Sequence, residues 1–473
     1  MKYKLIMFLA VFGLTQGVNA QSIWTLEQCI EYAQSHNLDL QQSALQLEIQ
    51  EQNLSRSKAL MLPTLNANAN DVVNWGKSVD RYTNEFADTR TNSVNLYLQS
   101  SITLFNGFKL LNSVKRNKLE FNAQRYDLKY QQDLKAMDIT TAFLQILYNK
   151  ENFKSKTEQV SLTQSQVDRT QKLVDAGSSA KGDLYNIKSQ LATEQSQKID
   201  AENKLFLSFL KLKQMMYLPG DTVFDILAPQ MELAEDFGEL QDPRKVYDYA
   251  LQNRPEIKSA DMRVQSAQKD LSISKGSATP NLSLSASLGS GYSGANSILD
   301  GSPVLNGYIP NGDKTSAGDF VLSPNFTYNS KPKAWNDQIV DNQNLSVGLY
   351  LSIPLFNGLQ NHTNISQAKI AMKKAELNLE NAKWQMRQTI EQAYADARSA
   401  YKQYEASALQ VESLSESFEY ASQKYDARML TAFEYNDAKI KLEIAKSEML
   451  NAKYNYVFRV KVLDFYYGKP LKL

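Results

Sequence analysis

The tetrapeptide Leu104-Phe105-Asn106-Gly107 occurs a second time as Leu355-Phe356-Asn357-Gly358. Both copies follow a stretch in which apolar and polar residues alternate, and both precede a long segment with helical periodicity. Outward from this motif, equivalent positions recur in the same order in each half of the chain: Ala33 and Ala250, Leu40 and Ile257, Leu47 and Val264, Leu54 and Leu271, Pro63 and Pro280. The sequence therefore predicts an internal duplication, in which each half contains helices, a strand, a loop, a strand and a helical hairpin.

The duplication divides the chain into two structural repeats, each of which contains one copy of the motif. We expect the first repeat at residues 21–240, with strands at about 65–75 and 92–104 and a helical hairpin at about 108–217. We expect the second at residues 241–473, with strands at about 282–292 and 343–354 and a hairpin at about 359–465. Polar loops at 76–90 and 290–341 join the strands, and we expect the longer one to face the exterior.

The first twenty residues have the pattern of a secretory signal peptide. Lys2 and Lys4 precede an apolar run from Leu5 to Leu14, and Val18-Asn19-Ala20 supplies small residues for cleavage. We therefore expect residues 1–20 to be removed and the mature chain to begin at Gln21.

The predicted strands alternate between apolar and small polar residues. One face of the third strand carries Leu282, Leu284, Ala286 and Leu288, and the other carries Ser283, Ser285, Ser287 and Gly289. Such strands suit a membrane barrel with a wet lumen, although a soluble β-sandwich has the same alternation. A membrane barrel needs at least about eight strands, so four per chain would have to be pooled between copies.

The segment that begins at Ile365 has the seam of a coiled coil, with steps of three and four residues between apolar or small positions. The seam consists of Ala368, Met372, Ala375, Leu379, Ala382, Met386, Thr389 and Ala393. A helix from Ile365 to Tyr425 would extend roughly 90 Å. In the first half, Gly177 suits a helix C-terminus and Asp183 lies near the next helix start. Periodicity alone is equally typical of a coiled-coil stalk.

Composition excludes several classes of function. With 52 basic and 51 acidic residues, the charge balance gives no support for nucleic-acid binding. Cys29 is the only cysteine, and His36 and His362 are the only histidines, so neither a metal cluster nor a catalytic triad is expected. We predict no cofactor and no enzymatic activity.

The duplicated proline, the LFNG motif in each half and the two hairpin turns together resemble the outer-membrane efflux protein (TolC) family over nearly the whole mature chain. The resemblance implies a fold that is mainly α with a transmembrane β-barrel. Three chains would form an α-barrel of long antiparallel helical hairpins, and four strands per chain would enter a shared twelve-stranded barrel. It further implies a homotrimer in outer-membrane lipid with a large periplasmic portion, a periplasmic adaptor (membrane fusion) protein, and an inner-membrane pump of the RND or ABC type.

The resemblance also assigns residues at the hairpin turns. Asp183 and Tyr425 match positions of the periplasmic gate, while Glu434 and Asp437 match the acidic positions of the pore constriction. Acids repeated by symmetry around a narrow opening favour cations. Arg428 replaces the glycine of the family pattern, and Leu430 stands where some members have a gating arginine. One hypothesis pairs Arg428 with Asp183 across neighbouring hairpins.

The resulting functional interpretation is a passive outer-membrane channel of a tripartite efflux or type I secretion system. Its cargo could be small molecules, polypeptides or metal ions, and the sequence does not separate them. The alternative from another class is a periplasmic or surface coiled-coil protein, such as an adhesin, without a conducting pore. An enzyme acting on the cell wall is a more distant alternative.

Overall fold

The computed structural model describes residues 22–87, 90–219, 222, 224–229, 242–427 and 429–471. The predicted signal peptide, residues 1–20, and the predicted gate residue Arg428 lie outside these described residues.

The helices of the two halves have nearly identical lengths. Helices of 11, 22, 67 and 36 residues in the first half are matched by helices of 11, 22, 67 and 35 residues in the second. The helices are α1 (Leu26–His36), α2 (Leu38–Ala59), α3 (Lys109–Asp175), α4 (Lys181–Met216), α5 (Pro243–Asn253), α6 (Pro255–Gly276), the short α7 (Trp335–Asp341), α8 (Gln360–Asp426) and α9 (Ala432–Tyr466).

Four of the described strands form the main sheet. The strands are β1 (Ser22–Trp24), β2 (Thr64–Asn74), β3 (Ser78–Val79), β4 (Phe86–Ala87), β5 (Thr91–Phe105), β6 (Phe224–Ile226), β7 (Asn281–Ser293), β8 (Ser297–Leu299), β9 (Val304–Lys314), β10 (Phe320–Thr327), β11 (Ser330–Pro332) and β12 (Asn344–Ser352). The main sheet has the order β12-β7-β5-β2, and every neighbouring pair in it is antiparallel.

The register of the main sheet separates an apolar from a polar face. Cross-strand partners share a face because they lie directly opposite each other. One such row contains Leu345, Leu288, Leu98 and Ala67, and the adjacent row on the opposite face contains Ser346, Ser287, Gln99 and Asn66. The leucines of the apolar row are exposed in the single chain. The sheet is also open, because β12 and β2 form its two edges.

The segments expected to be polar loops contain regular structure, so that expectation was wrong. Residues 76–90 include β3 and β4, and residues 290–341 include the end of β7, strands β8 to β11 and α7. The amide of Gln338 in α7 donates to Ser293 O at 3.0 Å and to Lys333 O at 2.8 Å, and its carbonyl accepts from Ser293 N at 2.9 Å. Gln338 is fully buried, so these bonds anchor α7 to the end of β7.

The chain folds into two compact units that are discontinuous in sequence. The helical unit comprises the described residues of Met1–Glu51, Leu119–Gln265 and Lys373–Leu473. The sheet unit comprises Gln52–Lys118 and Ser266–Met372, with the main sheet inside it.

The largest core of the helical unit lies where α1, α3, α4 and α9 pack together. Cys29, Phe143, Ile146 and Leu212 are among its fully buried members. The parallel pair β1–β6 contributes Phe224 and Ile226 to the same core.

Ala33 in α1 and Ala250 in α5, which occupy equivalent positions in the two halves, are both fully buried. The interpretation of this recurrence as two structural repeats, 21–240 and 241–473, remains our proposal.

Candidate gate at the ends of the helical hairpins

The first hairpin turns at Gly177. The Ser178 amide donates to Leu173 O at 2.8 Å and the Gly177 amide to Val174 O at 2.9 Å, which is the Schellman arrangement that ends a helix. Gly177 has a φ of 71°, in the left-handed region that favours glycine. This conformation stops α3 and redirects the chain into α4.

Asp183 lies in the first turn of α4. Its Oδ2 accepts a hydrogen bond from the Ser179 hydroxyl at 3.2 Å, and its own amide donates to Ala180 O at 3.1 Å. A carboxylate in this position is favoured by the positive end of the helix dipole. These contacts join Asp183 to its own hairpin.

Glu434 participates in the N-terminal cap of α9. The Thr431 amide and hydroxyl donate to its Oε2 at 2.9 and 2.8 Å, and the Glu434 amide donates to Thr431 Oγ1 at 3.3 Å. This reciprocal arrangement is a capping box. The hydrogen bond from the Thr431 backbone, followed by that from its hydroxyl, lowers the pKa of the Glu434 carboxyl below its ordinary value. The hydrogen bonds at the start of α9 therefore favour the ionised form of Glu434, one of the two predicted pore acids.

Asp437 lies one turn further along α9 and is exposed. Its Oδ2 accepts from Lys441 Nζ at 2.7 Å, an ion pair between residues four apart on one helix. Part of the Asp437 charge is thus compensated within the same helix, in a solvent-exposed setting where such pairs are weak.

Tyr425 contacts Tyr435 near the turn of the second hairpin. Phe418 also lies against the Tyr435 ring, with ring centroids 5.4 Å apart. Burial raises the pKa of the Tyr435 phenol, and the Asp426 charge adds to the rise. Its hydroxyl therefore remains protonated at neutral pH while it accepts a hydrogen bond from Gln166 Nε2 at 2.7 Å.

Polar residues at intervals of three on α3 connect the first hairpin to the second. The contacts pair Thr163 with Lys439, Gln166 with Tyr435, and Arg169 with Asp426. Thr163 is fully buried, Gln166 is half-buried, and the Arg169 side chain is 62% exposed, so burial decreases toward the turn. The contacts nearest the turn are consequently the most accessible to water and salt.

Sequence reasoning did not identify Thr431, Tyr435 or the interhairpin residues of α3. The Thr431-x-x-Glu434 spacing is a capping-box signal and could have been recognised. The partners of Tyr435 depend on how the hairpins pack, which the spacing of residues within one helix does not specify.

Among the residues that the structure describes, no group of three or more His, Cys, Asp or Glu is arranged to hold a metal ion. No helix in the same part of the chain combines the length and apolar character needed to span a membrane.

The sequence model of a family described as "Outer membrane efflux protein" matches residues 29–216 and 246–469. The chain belongs to the outer membrane efflux protein family. This family consists of channels rather than enzymes, and its members act in tripartite efflux systems. The protein is accordingly an outer-membrane efflux channel protein with a large periplasmic helical portion, and the adhesin alternative is not favoured.

Individual members of the outer membrane efflux protein family are distant in sequence. The chain is 22% identical over 459 residues to outer membrane protein TolC of Escherichia coli (strain K12), an alignment that covers 96% of this chain and 84% of that protein.

Solved structures of outer-membrane channels share the fold. The chain resembles VceC of Vibrio cholerae with a TM-score of 0.74 at 14% identity, covering 94% of this chain and 96% of that one. It resembles the open state of MtrE of Neisseria gonorrhoeae with a TM-score of 0.69 at 16% identity, covering 94% of this chain and 89% of that one. These likenesses confirm the predicted fold class at the level of one chain, which is mainly helical with long hairpins and a smaller number of residues in strands.

Proposed function

We propose that the protein is a passive duct that receives substrates from an energised inner-membrane pump, of the RND or ABC type, through a periplasmic adaptor protein. In this proposal the chain binds no cofactor and carries out no chemistry. Its family membership supports a channel role, and the pump supplies the driving force. Both efflux and type I secretion are compatible with such a duct.

The main sheet carries the proposal that the working form is a homotrimer. One face of the sheet presents exposed leucines, which suits contact with outer-membrane lipid. Its edge strands β2 and β12 would leave backbone groups without hydrogen-bond partners in lipid, where water cannot replace them. Three copies would pair these edges and supply twelve strands, above the roughly eight that a membrane barrel needs.

We place the gate of this duct at the hairpin turns. Asp183, Tyr425 and Arg428 are the proposed gate residues, and Glu434 and Asp437 the proposed pore constriction. In a trimer each carboxylate would occur three times around the axis. A ring of like charges in a narrow opening concentrates cations and repels anions. The capping box and the Lys441 ion pair described above would fix these side chains against their helix.

Electrical recording from purified protein tests the proposal. Protein extracted from outer membranes in mild detergent is expected to migrate as a three-chain species that boiling dissociates, and to conduct ions in a planar bilayer. The boiled sample is the matched control, since dissociated chains cannot form a closed barrel. A monomer in detergent that produces no conductance would contradict the proposal.

A further inference from the structure

A buried ionic cluster lies where the two hairpins meet, further from the turns than the candidate gate. We call it the Glu194 cluster, and it consists of Glu194 on α4, Lys439 on α9, and Thr163 and Gln159 on α3. The exposed fractions are 1% for Glu194, 4% for Lys439, 0% for Thr163 and 5% for Gln159. A carboxylate and an ammonium group are thus both removed from water.

The bonds of the Glu194 cluster satisfy both carboxylate oxygens. Oε1 of Glu194 accepts from Lys439 Nζ at 3.3 Å, from Gln159 Nε2 at 3.4 Å and from Gln190 Nε2 at 2.9 Å. Oε2 accepts from the Thr163 hydroxyl, which is also within hydrogen-bond reach of Lys439 Nζ. One carboxylate therefore joins three helices, two from the first hairpin and one from the second.

A buried ionic cluster of this kind is not expected to raise the free energy of unfolding appreciably by itself. The desolvation cost of a buried pair can exceed its Coulombic gain, and well-packed apolar residues often do as well or better. Removing one partner is different, because the remaining charge is then buried without compensation. Any orientation of α9 that separates Lys439 from Glu194 is consequently destabilised. The cluster therefore favours one rotational orientation of α9 about its axis relative to α3 and α4.

The rotation of α9 determines where the proposed pore acid points. Lys439 follows Asp437 by two residues, which is about 200° around an α-helix. In agreement with this angle, Lys439 is buried against the first hairpin and Asp437 is exposed. Anchoring one face of α9 at Lys439 therefore directs Asp437 away from the first hairpin.

We propose that Glu194 and Lys439 are positioning residues that fix the direction of Asp437 and thereby the cation preference of the constriction. This inference rests on the proposed function, because it requires a conducting trimer with Asp437 at its narrowest point. Neither residue of the pair touches the permeating ion; both act through Asp437.

The test measures the reversal potential across a salt gradient for Lys439→Met, Glu194→Gln and Asp437→Asn channels. We expect both buried-pair variants to reduce the cation-to-anion permeability ratio to about that of Asp437→Asn. The decisive variant combines Lys439→Met with Asp437→Asn and is expected to lose no further selectivity. Lys402→Met, which breaks an exposed pair with Glu405 on α8, is the matched control and should leave the ratio unchanged.

Several results would overturn this inference. Selectivity unchanged in Lys439→Met despite a lower unfolding temperature would assign the cluster a purely structural role. An effect that adds to that of Asp437→Asn would show that it does not act through Asp437. If Lys439→Met does not assemble, the milder Thr163→Val variant is measured in its place, and unaltered selectivity there would be equally contrary. A non-conducting unsubstituted trimer would instead refute the proposed function itself.

Discussion

The aromatic rings of Tyr425 and Tyr435 stack on each other, with centroids 4.7 Å apart and an angle of 27° between their planes. Tyr425 lies in the last turn of α8 and Tyr435 in the first turns of α9, so the stack connects the two helices across the hairpin turn. The hydrogen bond from Gln166 to Tyr435 extends this connection to the first hairpin. One side chain thus links three helices at the candidate gate.

Substitutions at Tyr435 are expected to separate the contribution of the ring stack to stability from that of the hydrogen bonds of the phenol. Tyr435→Phe keeps the stack and loses the hydrogen bonds of the phenol with Gln166 and Ser422, each of which should contribute about 1 kcal/mol to the unfolding free energy. Tyr435→Ala also loses the ring pairs, each worth about 1 kcal/mol beyond the buried area. Heat or denaturant unfolding of the purified protein measures both. Tyr420→Phe, at an exposed tyrosine of α8, is the control and should change nothing. Equal losses in Tyr435→Phe and Tyr435→Ala would show that the stack contributes nothing.

Gly177 and Gly182 offer a matched pair of glycine substitutions at the first turn. A Cβ at either position would meet no atom within 4 Å, so only backbone conformation differs. Gly177→Ala should destabilise the protein by roughly 1–2 kcal/mol, because its φ of 71° disfavours an L-residue. Gly182→Ala, inside α4, should stabilise it by about 0.5–1 kcal/mol. Denaturant midpoints of the two variants measure this contrast. A midpoint for Gly177→Ala at or above that of the unsubstituted protein would contradict the assignment of the turn.

The regular parts of the fold could be predicted because their periods follow from backbone geometry. Strict alternation around Leu284 indicated a strand, and β7 covers Asn281–Ser293. Steps of three and four from Ala368 indicated a long helix, and α8 runs from Gln360 to Asp426.

Short or irregular elements have no periodic pattern of apolar residues by which they could be predicted. Strands β1 and β6 have three residues each. They pair with each other although most of the first half of the chain lies between them in sequence. The pairing of β9 with β10 contains register shifts, and such irregularities interrupt the strict alternation by which a strand is predicted.

The candidate site was predictable where local backbone chemistry governs it. Gly177 indicated a helix end, and its conformation agrees. The contact of Tyr435 with Gln166 could not be predicted, because it depends on the rotation of two separate hairpins about their axes. The buried pair of Glu194 and Lys439 was missed for the same reason, since each residue alone resembles an ordinary charge on a helix surface.

The capping box of α9 predicts a pH dependence. The pKa of Glu434 is lowered in the folded protein, so its contribution to stability is fully present above its ordinary value of 4.5 and is lost as the pH falls through the lower folded pKa. Thr431→Ala removes the hydroxyl that helps to lower this pKa. The stability difference between Thr431→Ala and the unsubstituted protein should therefore be largest near neutral pH and shrink below about pH 4.5. Thermal unfolding across this range measures the difference.

Thr431→Ser is the control for this prediction, because serine retains the capping hydroxyl. Its stability should follow that of the unsubstituted protein at every pH. A difference for Thr431→Ala that stays constant down to pH 3 would exclude Glu434 from the cap in solution.

Cys29 should be unreactive in the folded protein. Burial in the core of the helical unit raises the pKa of its thiol to about 12, and the nearby Glu27 charge adds to the rise. Because the thiolate is the reactive form, a thiol reagent at pH 8 should label Cys29 only after unfolding. Gln34→Cys places a second thiol at an exposed position of α1 and should add one rapidly labelled group. Rapid labelling of the unsubstituted folded protein would mean that α1 is not packed as described.

Asp437→Asn should reduce cation selectivity without reducing stability appreciably. The lost ion pair with Lys441 is exposed and lies within one helix, so the free energy of unfolding should fall by only about 0.3–0.5 kcal/mol. In a trimer, however, the opening would lose the three negative charges of Asp437 and keep the three positive charges of Lys441. The reversal potential across a salt gradient should therefore shift toward anions, and less so near 1 M salt, where the Debye length is about 3 Å. Glu412→Gln removes an exposed acid from α8 further from the turn, and an equal shift there would exclude Asp437 as the constriction.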